Sequence, residues 1–221
     1  MGSVIGEILG NAVGVAISPI PIIAVILMLF SAKATANSIS FLLGWVIGLS
    51  IAGGVVLALG LDDAGGGEST VGGWIKIVIG VLFLGLGWRN WTSRPTGDDE
   101  PEMPAWMATI DDFTAAKSFG LAFALAAVNP KNLGLTIAAV VKITGSGLST
   151  GQEIGTLAVF VAIASITVAV PVMANLILGE NAQGGLNTMK EWLVANNNVV
   201  MTVLFAVLGA TVLGDGLAIV A

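Results

Sequence analysis

Lys131 stands in the run Asn129-Pro130-Lys131-Asn132, inside a long apolar stretch and far from either end of it. A lysine so placed has trouble reaching water, and its charge costs about 2.5 to 3.5 kcal/mol on insertion scales. It therefore needs a partner, and no acidic residue lies mid-stretch: Glu7, Glu153, Glu180 and Asp215 all fall near the ends of apolar runs. Three arrangements would serve: backbone carbonyls freed at a helix break, a substrate anion, or a proton-linked change of its own charge. A second proline motif, Ser18-Pro19-Ile20-Pro21, interrupts the first apolar run. Proline removes a backbone donor and clashes with the preceding turn, so each motif should break a helix where no water can satisfy the freed carbonyls. Such breaks are tolerated where they line a cavity or are buried in protein. Paired interruptions at corresponding places in two halves mark the binding site of a transporter.

The half-helices that follow the two breaks would aim their N-termini, with partial positive charge and free N–H groups, at one volume. That arrangement favours an anionic or carbonyl-rich guest. Polar residues at helical spacing fit a lined cavity: Glu7, Asn11, Gly14 and Ser18 along the first run, and Ser118, Asn129, Asn132 and Thr136 along the fourth. Asn175 follows Pro171 by one turn in the fifth. The candidate binding residues are thus Ser18, Asn129, Lys131, Asn132, Asn11 and Asn175, although Asn and Ser also serve for plain hydrogen bonds between helices. Pro19, Pro21 and Pro130 would set the broken geometry. Gly53-Gly54 and Pro171 give the middle helix of each half a weak point.

The elements that must hold these residues are membrane helices. The chain is 56% hydrophobic, 10% charged and has a mean hydropathy of +0.96, whereas soluble domains carry about 25% charged residues. Period-two alternation is absent, which argues against an outer-membrane barrel. Apolar runs near Val4 to Phe30, Ile39 to Leu61, Trp74 to Trp91, Phe119 to Ile143, Ile154 to Leu178 and Trp192 to Leu213 give six spans of roughly the required 20 residues. The first lacks the basic flank of a secretory signal and reads as a retained span. Three spans per half is an odd number, so a shared fold makes the second half inverted. The expected architecture is all-α and polytopic: two inverted three-helix repeats, 1–93 and 117–221, with broken helices 1 and 4. An acidic connection, 94–116, joins them and carries Trp106, Ile110 and Phe113 at i, i+4 and i+7, a spacing that suits a short helix lying on the membrane surface. Small residues at four-residue spacing, Gly6, Gly10 and Gly14, and Gly44, Gly48 and Ala52, allow close helix packing.

Lys33, Arg89, Arg94, Lys117 and Lys190 fall on one side and Lys76 and Lys142 on the other. The positive-inside rule then puts the long connection in the cytoplasm and both termini outside. The net charge of −6 resides in connections, chiefly Asp62, Asp63 and Glu68, and Asp98, Asp99, Glu100, Glu102, Asp111 and Asp112. No basic patch for nucleic acid is present. With no cysteine and no histidine, thiol relays, thiolate metal sites and the commonest proton shuttle are excluded. The stretch Gly145 to Gly151 lacks the Gly-Lys-Ser/Thr ending of a phosphate loop. Neither an enzyme, a cofactor nor a metal centre is expected. A retinal-binding lysine would want a seventh span and an acidic counter-ion.

Ser18-Pro-Ile-Pro, the approach from Trp106 to Asp112, and above all Asn129-Pro-Lys-Asn-Leu133 resemble the GAP family, the glycolipid- and sulfolipid-addressing proteins of actinobacteria. The likeness runs over nearly the whole chain. It implies membership of the lysine exporter superfamily of six-span, inverted-repeat proteins, residence in the inner membrane, and export of envelope glycolipids alongside a larger lipid exporter. Superfamily relatives that export amino acids or cations offer an alternative, as does a non-transporting accessory role at the larger exporter. Partners on this reading are membrane lipids, that exporter, and a second copy of the chain. The thiol-disulfide conduits of the superfamily keep cysteines beside their breaks, so their activity does not carry over.

Overall fold

The computed structural model describes residues 1–60, 70–95 and 104–221. The acidic positions Asp62, Asp63, Glu68, Asp98, Asp99, Glu100 and Glu102 lie outside the described residues. Among the described residues the chain is all-helical: α1 (Gly2–Ala16), α2 (Pro19–Leu29), α3 (Ala34–Ala58), α4 (Thr70–Thr92), a 3₁₀ helix (Ala105–Asp112), α5 (Ala115–Phe123), a π-helical turn (Ala124–Val128), α6 (Pro130–Thr144), α7 (Thr150–Leu178) and α8 (Gln183–Val220). Two helical runs are long and apolar enough to cross a membrane, Ala34–Ala58 and Thr150–Val220. Two bent pairs qualify when each is taken as one span: α1 with α2, bent by 52°, and the α5 segment with α6, bent by 56°. The breaks therefore fall at the two proline motifs.

The chain divides into two compact units, Met1–Gly60 with Met103–Val194, and Leu61–Glu102 with Ala195–Ala221. This grouping cuts across the two halves expected from the repeat. In the first unit α3 packs most extensively on α5, and α7 packs on α1 and α2. Glycine makes the α3 to α5 approach possible: a Cβ on Gly48 would lie 3.0 Å from Ala126 Cβ and 3.2 Å from the Phe123 carbonyl oxygen. Gly6 and Gly10 face open space, so of the expected stripe on α1 only Gly14 is buried in this unit. α3 instead turns Leu43, Ile47, Ile51 and Val55 outward at every fourth position, and α7 turns out Ile166, Val170, Met173 and Ile177 at alternating steps of four and three. Apolar faces of this extent suit hydrocarbon and not water.

In the second unit α4 and the later part of α8 pair through glycines seven residues apart. A Cβ on Gly80 would meet Leu213 N at 2.7 Å, and one on Gly216 would meet Ile77 N at 2.8 Å. Phe83 and Phe205 pack beside them with ring centroids 5.7 Å apart.

Two expectations change. α3 and α7 run unbroken past Gly53-Gly54 and Pro171. Gly53 is a packing position, since a Cβ there would lie 2.6 Å from Leu157 Cδ1. The short helix of the connection is a 3₁₀ helix, Ala105–Asp112, whose three-residue repeat aligns Met107 with Ile110 in place of the i, i+4, i+7 row of Trp106, Ile110 and Phe113. Met107 and Ile110 are buried, Trp106 and Phe113 half-buried, and the helix packs on α2.

Candidate functional site

A helix that ends inside apolar surroundings leaves its last four carbonyls to be satisfied by something else. At the end of α1 every one of them has a named donor. The Ile17 N–H donates to the Val13 carbonyl at 2.8 Å. The Gly14 carbonyl accepts from Lys131 Nζ at 3.1 Å. Pro19 cannot donate to the Val15 carbonyl, and the Ser18 hydroxyl does so instead at 2.7 Å. The Ala16 carbonyl takes the Thr167 hydroxyl of α7 at 2.6 Å. Ser18 in the gap and side chains from α6 and α7 thus close what the proline opens.

The second break is repaired in a related way. The Asn129 N–H reaches back to the Ala124 carbonyl at 3.0 Å, a π-type bond across the residue that Pro130 leaves undonated. The side chain of Asn132 turns back from α6 and donates to the Leu125 carbonyl at 2.9 Å.

The two repairs meet at one cluster. Lys131 Nζ donates to Ser18 Oγ at 2.5 Å, and Asn132 Oδ1 lies 3.3 Å from the same oxygen. Ser18, Lys131 and Asn132 are all buried, Asn132 at 1% exposure. Thr136, fully buried one turn along α6, donates to the Asn132 carbonyl at 2.8 Å. Among the described residues Lys131 has no carboxylate partner. Its ammonium sits on the C-terminal carbonyls of α1, where the helix dipole favours a cation. Two of its three hydrogens are used by Gly14 and Ser18, and no partner for the third is found among the described residues.

The backbone offers fewer donors than two free helix N-termini would. Prolines at the first and third positions of α2 leave one first-turn N–H there, that of Ile20. At α6, Pro130 has none and the Lys131 N–H is capped by Asn129 Oδ1 at 3.0 Å, which leaves Asn132. Asn129 is therefore a helix cap in this conformation and stands outside the cluster. Asn11 lies farther along α1 and ties it to α6, donating to the Leu135 carbonyl at 3.4 Å and accepting from Lys142 Nζ at 3.5 Å. Asn175 is half-buried on α7 and makes no side-chain bond to the cluster. Ser118 is fully buried on α5, its hydroxyl without a partner among the described residues. Thr167 was not among the expected residues, because nothing in its local sequence shows that it faces Ala16.

A chain that is all-helical over its described residues, with outward apolar faces and two proline-broken helices joined through a buried lysine, is a helical membrane protein with a polar centre. The sequence profile of the family described as Sap, sulfolipid-1-addressing protein, matches residues 8–218. The chain belongs to that family. No curated protein and no solved structure matches it.

Proposed function

We propose that the protein is an inner-membrane carrier that moves an anionic or polar envelope lipid, working by alternating access around the two proline breaks. The observation that carries this reading is the Lys131–Ser18–Asn132 cluster: one buried cation without a carboxylate, held between two broken helices with a donor to spare. Lys131 binds the anionic part of the head group. Ser18, Asn132 and the Ile20 N–H contact its other polar atoms, and Pro19, Pro21 and Pro130 keep the backbone open.

Six spans follow if α4 and α8 cross the membrane with the bent pairs, α3 and α7. The 29 residues of α7 and the 38 of α8 each exceed the roughly 20 needed, and Gly179, at φ +55°, ends α7 between them. An inverted repeat is supported by reciprocal packing: the second span α3 lies on the fourth, and the fifth span α7 lies on the first. Exchanging the halves maps one contact onto the other.

The lysine and arginine asymmetry sets the orientation. Cysteine at exposed Ser146, in a chain that has no other cysteine, is expected to react with an impermeant thiol reagent added to intact cells. Cysteine at exposed Ala32 is expected to react only after lysis; the opposite pattern reverses the topology.

Transport itself is tested with the purified protein alone in vesicles holding a fluorescent phosphatidylglycerol, read by dithionite quenching of the outer leaflet. Faster transfer between leaflets than in protein-free vesicles is the expected result. Transfer at the protein-free rate would instead favour an accessory to a larger exporter.

A further inference from the structure

We infer that a second site, apart from the helix breaks, holds the head group of an anionic, hydroxyl-bearing membrane lipid in a groove between α2, the 3₁₀ helix and the start of α8. The groove is an open-sided cavity of about 480 Å³ lined by Leu27, Phe30, Asp111, Gln183, Asn187 and Lys190, within the range of small-molecule sites.

Its chemistry is mixed in a specific way. Gln183, Asn187 and Lys190 stand at i, i+4 and i+7, on one face of α8. Lys190 Nζ lies 5.5 Å from the centroid of the Phe30 ring. Among the described residues it has no carboxylate within ion-pair distance, so the ammonium is free to take an anionic oxygen. Two carboxamides and the Asp111 carboxylate supply both acceptors and donors, which is what a cluster of hydroxyls requires. Asn187 already donates to Glu191 Oε1 at 2.5 Å, and its own carbonyl oxygen is left to accept. The exposed face of Phe30 suits the C–H side of a glycerol or sugar.

Position argues for a lipid over a free solute. α2 is apolar to its end at Leu29, and the groove opens beside that end. Two tryptophans stand near its lining residues in the chain: Trp106 on the 3₁₀ helix that carries Asp111, and Trp192, 57% exposed, two residues beyond Lys190. Indoles concentrate at the membrane–water boundary, where lipid head groups lie. The inference does not depend on transport through the Lys131 cluster.

Native mass spectrometry of the full chain released from detergent micelles tests it, with four lipids as probes. Phosphatidylglycerol and sulfated galactosylceramide share the anion and the hydroxyls, phosphatidic acid has the anion alone, and phosphatidylcholine has neither a net charge nor hydroxyls. At least one of the first two is expected to bind about tenfold more tightly than phosphatidylcholine, with phosphatidic acid between, and the tighter of the two identifies the source. Lys190→Gln should bring that lipid down to the phosphatidylcholine level, and Asn187→Ala should weaken it severalfold, while Lys131→Met leaves it unchanged. Equal binding of all four lipids, or full binding by Lys190→Gln, overturns the site. Phosphatidic acid as tight as the best lipid overturns the hydroxyl part of the assignment.

Discussion

Lys131→Met is expected to give a folded, inserted protein whose lipid transfer falls to the rate of protein-free vesicles. Methionine is close to lysine in length and opens no large cavity. The substitution leaves the Gly14 carbonyl without its donor, a loss of about 1 to 3 kcal/mol. It also removes a charge whose burial costs about 2.5 to 3.5 kcal/mol. The two nearly offset each other, so the melting temperature in detergent should move by a few degrees at most. Lys131→Arg keeps the charge yet should restore little activity, because the planar fork does not fit a site built for a point charge between Gly14 and Ser18. Unchanged transfer by Lys131→Met would reduce the lysine to packing. Inactivity together with a large loss of stability would make it a strut that closes the α1 break and nothing more.

Gly44→Ala is expected to cause a large loss of stability from the addition of a single methyl group. Its Cβ would run into the Phe119 carbonyl and lie 3.0 Å from the Phe119 Cα, both backbone atoms that no rotamer change can move. The most extensive contact in the first unit, α3 on α5, would have to open. Overpacking of this kind costs about 3 kcal/mol, or roughly 6 to 12 °C in melting temperature for a chain of this size. Gly54→Ala is the control: its Cβ meets nothing within 4 Å, so better helix propensity should leave stability unchanged or raise it by up to about 1 kcal/mol. Equal effects of the two would mean that the α3 to α5 approach is looser than the structure has it.

The breaks at Pro19 and Pro130 are readable from sequence because proline alters the backbone at its own position, whatever surrounds it. The same logic overreaches at Pro171. A lone proline can sit in a helix when neighbours accommodate it, and buried Pro171 leaves α7 continuous. Spacing alone also cannot distinguish a 3₁₀ from an α-helix over eight residues, so the buried pair of the connection, Met107 and Ile110, is not the row that the α-helical spacing picks out. Within the cluster, the need of Lys131 for a partner follows from its type and depth. The partner itself does not, since Gly14 lies 117 residues away and is chosen by how α1 and α6 dock. Thr167 escapes for the same reason, 151 residues from the carbonyl it satisfies. Asn129 looks like a ligand in the motif, yet its first task is local: it caps the helix that Pro130 begins.

The central claim, that the cluster is the middle of a path open in turn to each face of the membrane, is tested most directly by cysteine at Thr136. That residue is fully buried one turn from Asn132, and the chain contains no other cysteine. A small impermeant methanethiosulfonate, applied to sealed vesicles from outside or trapped within, reports which face reaches it. The account predicts modification from both faces in the working protein, at rates that change when phosphatidylglycerol is added. Modification from neither face, or from one face only, would contradict alternating access and leave the two broken helices as fixed architecture.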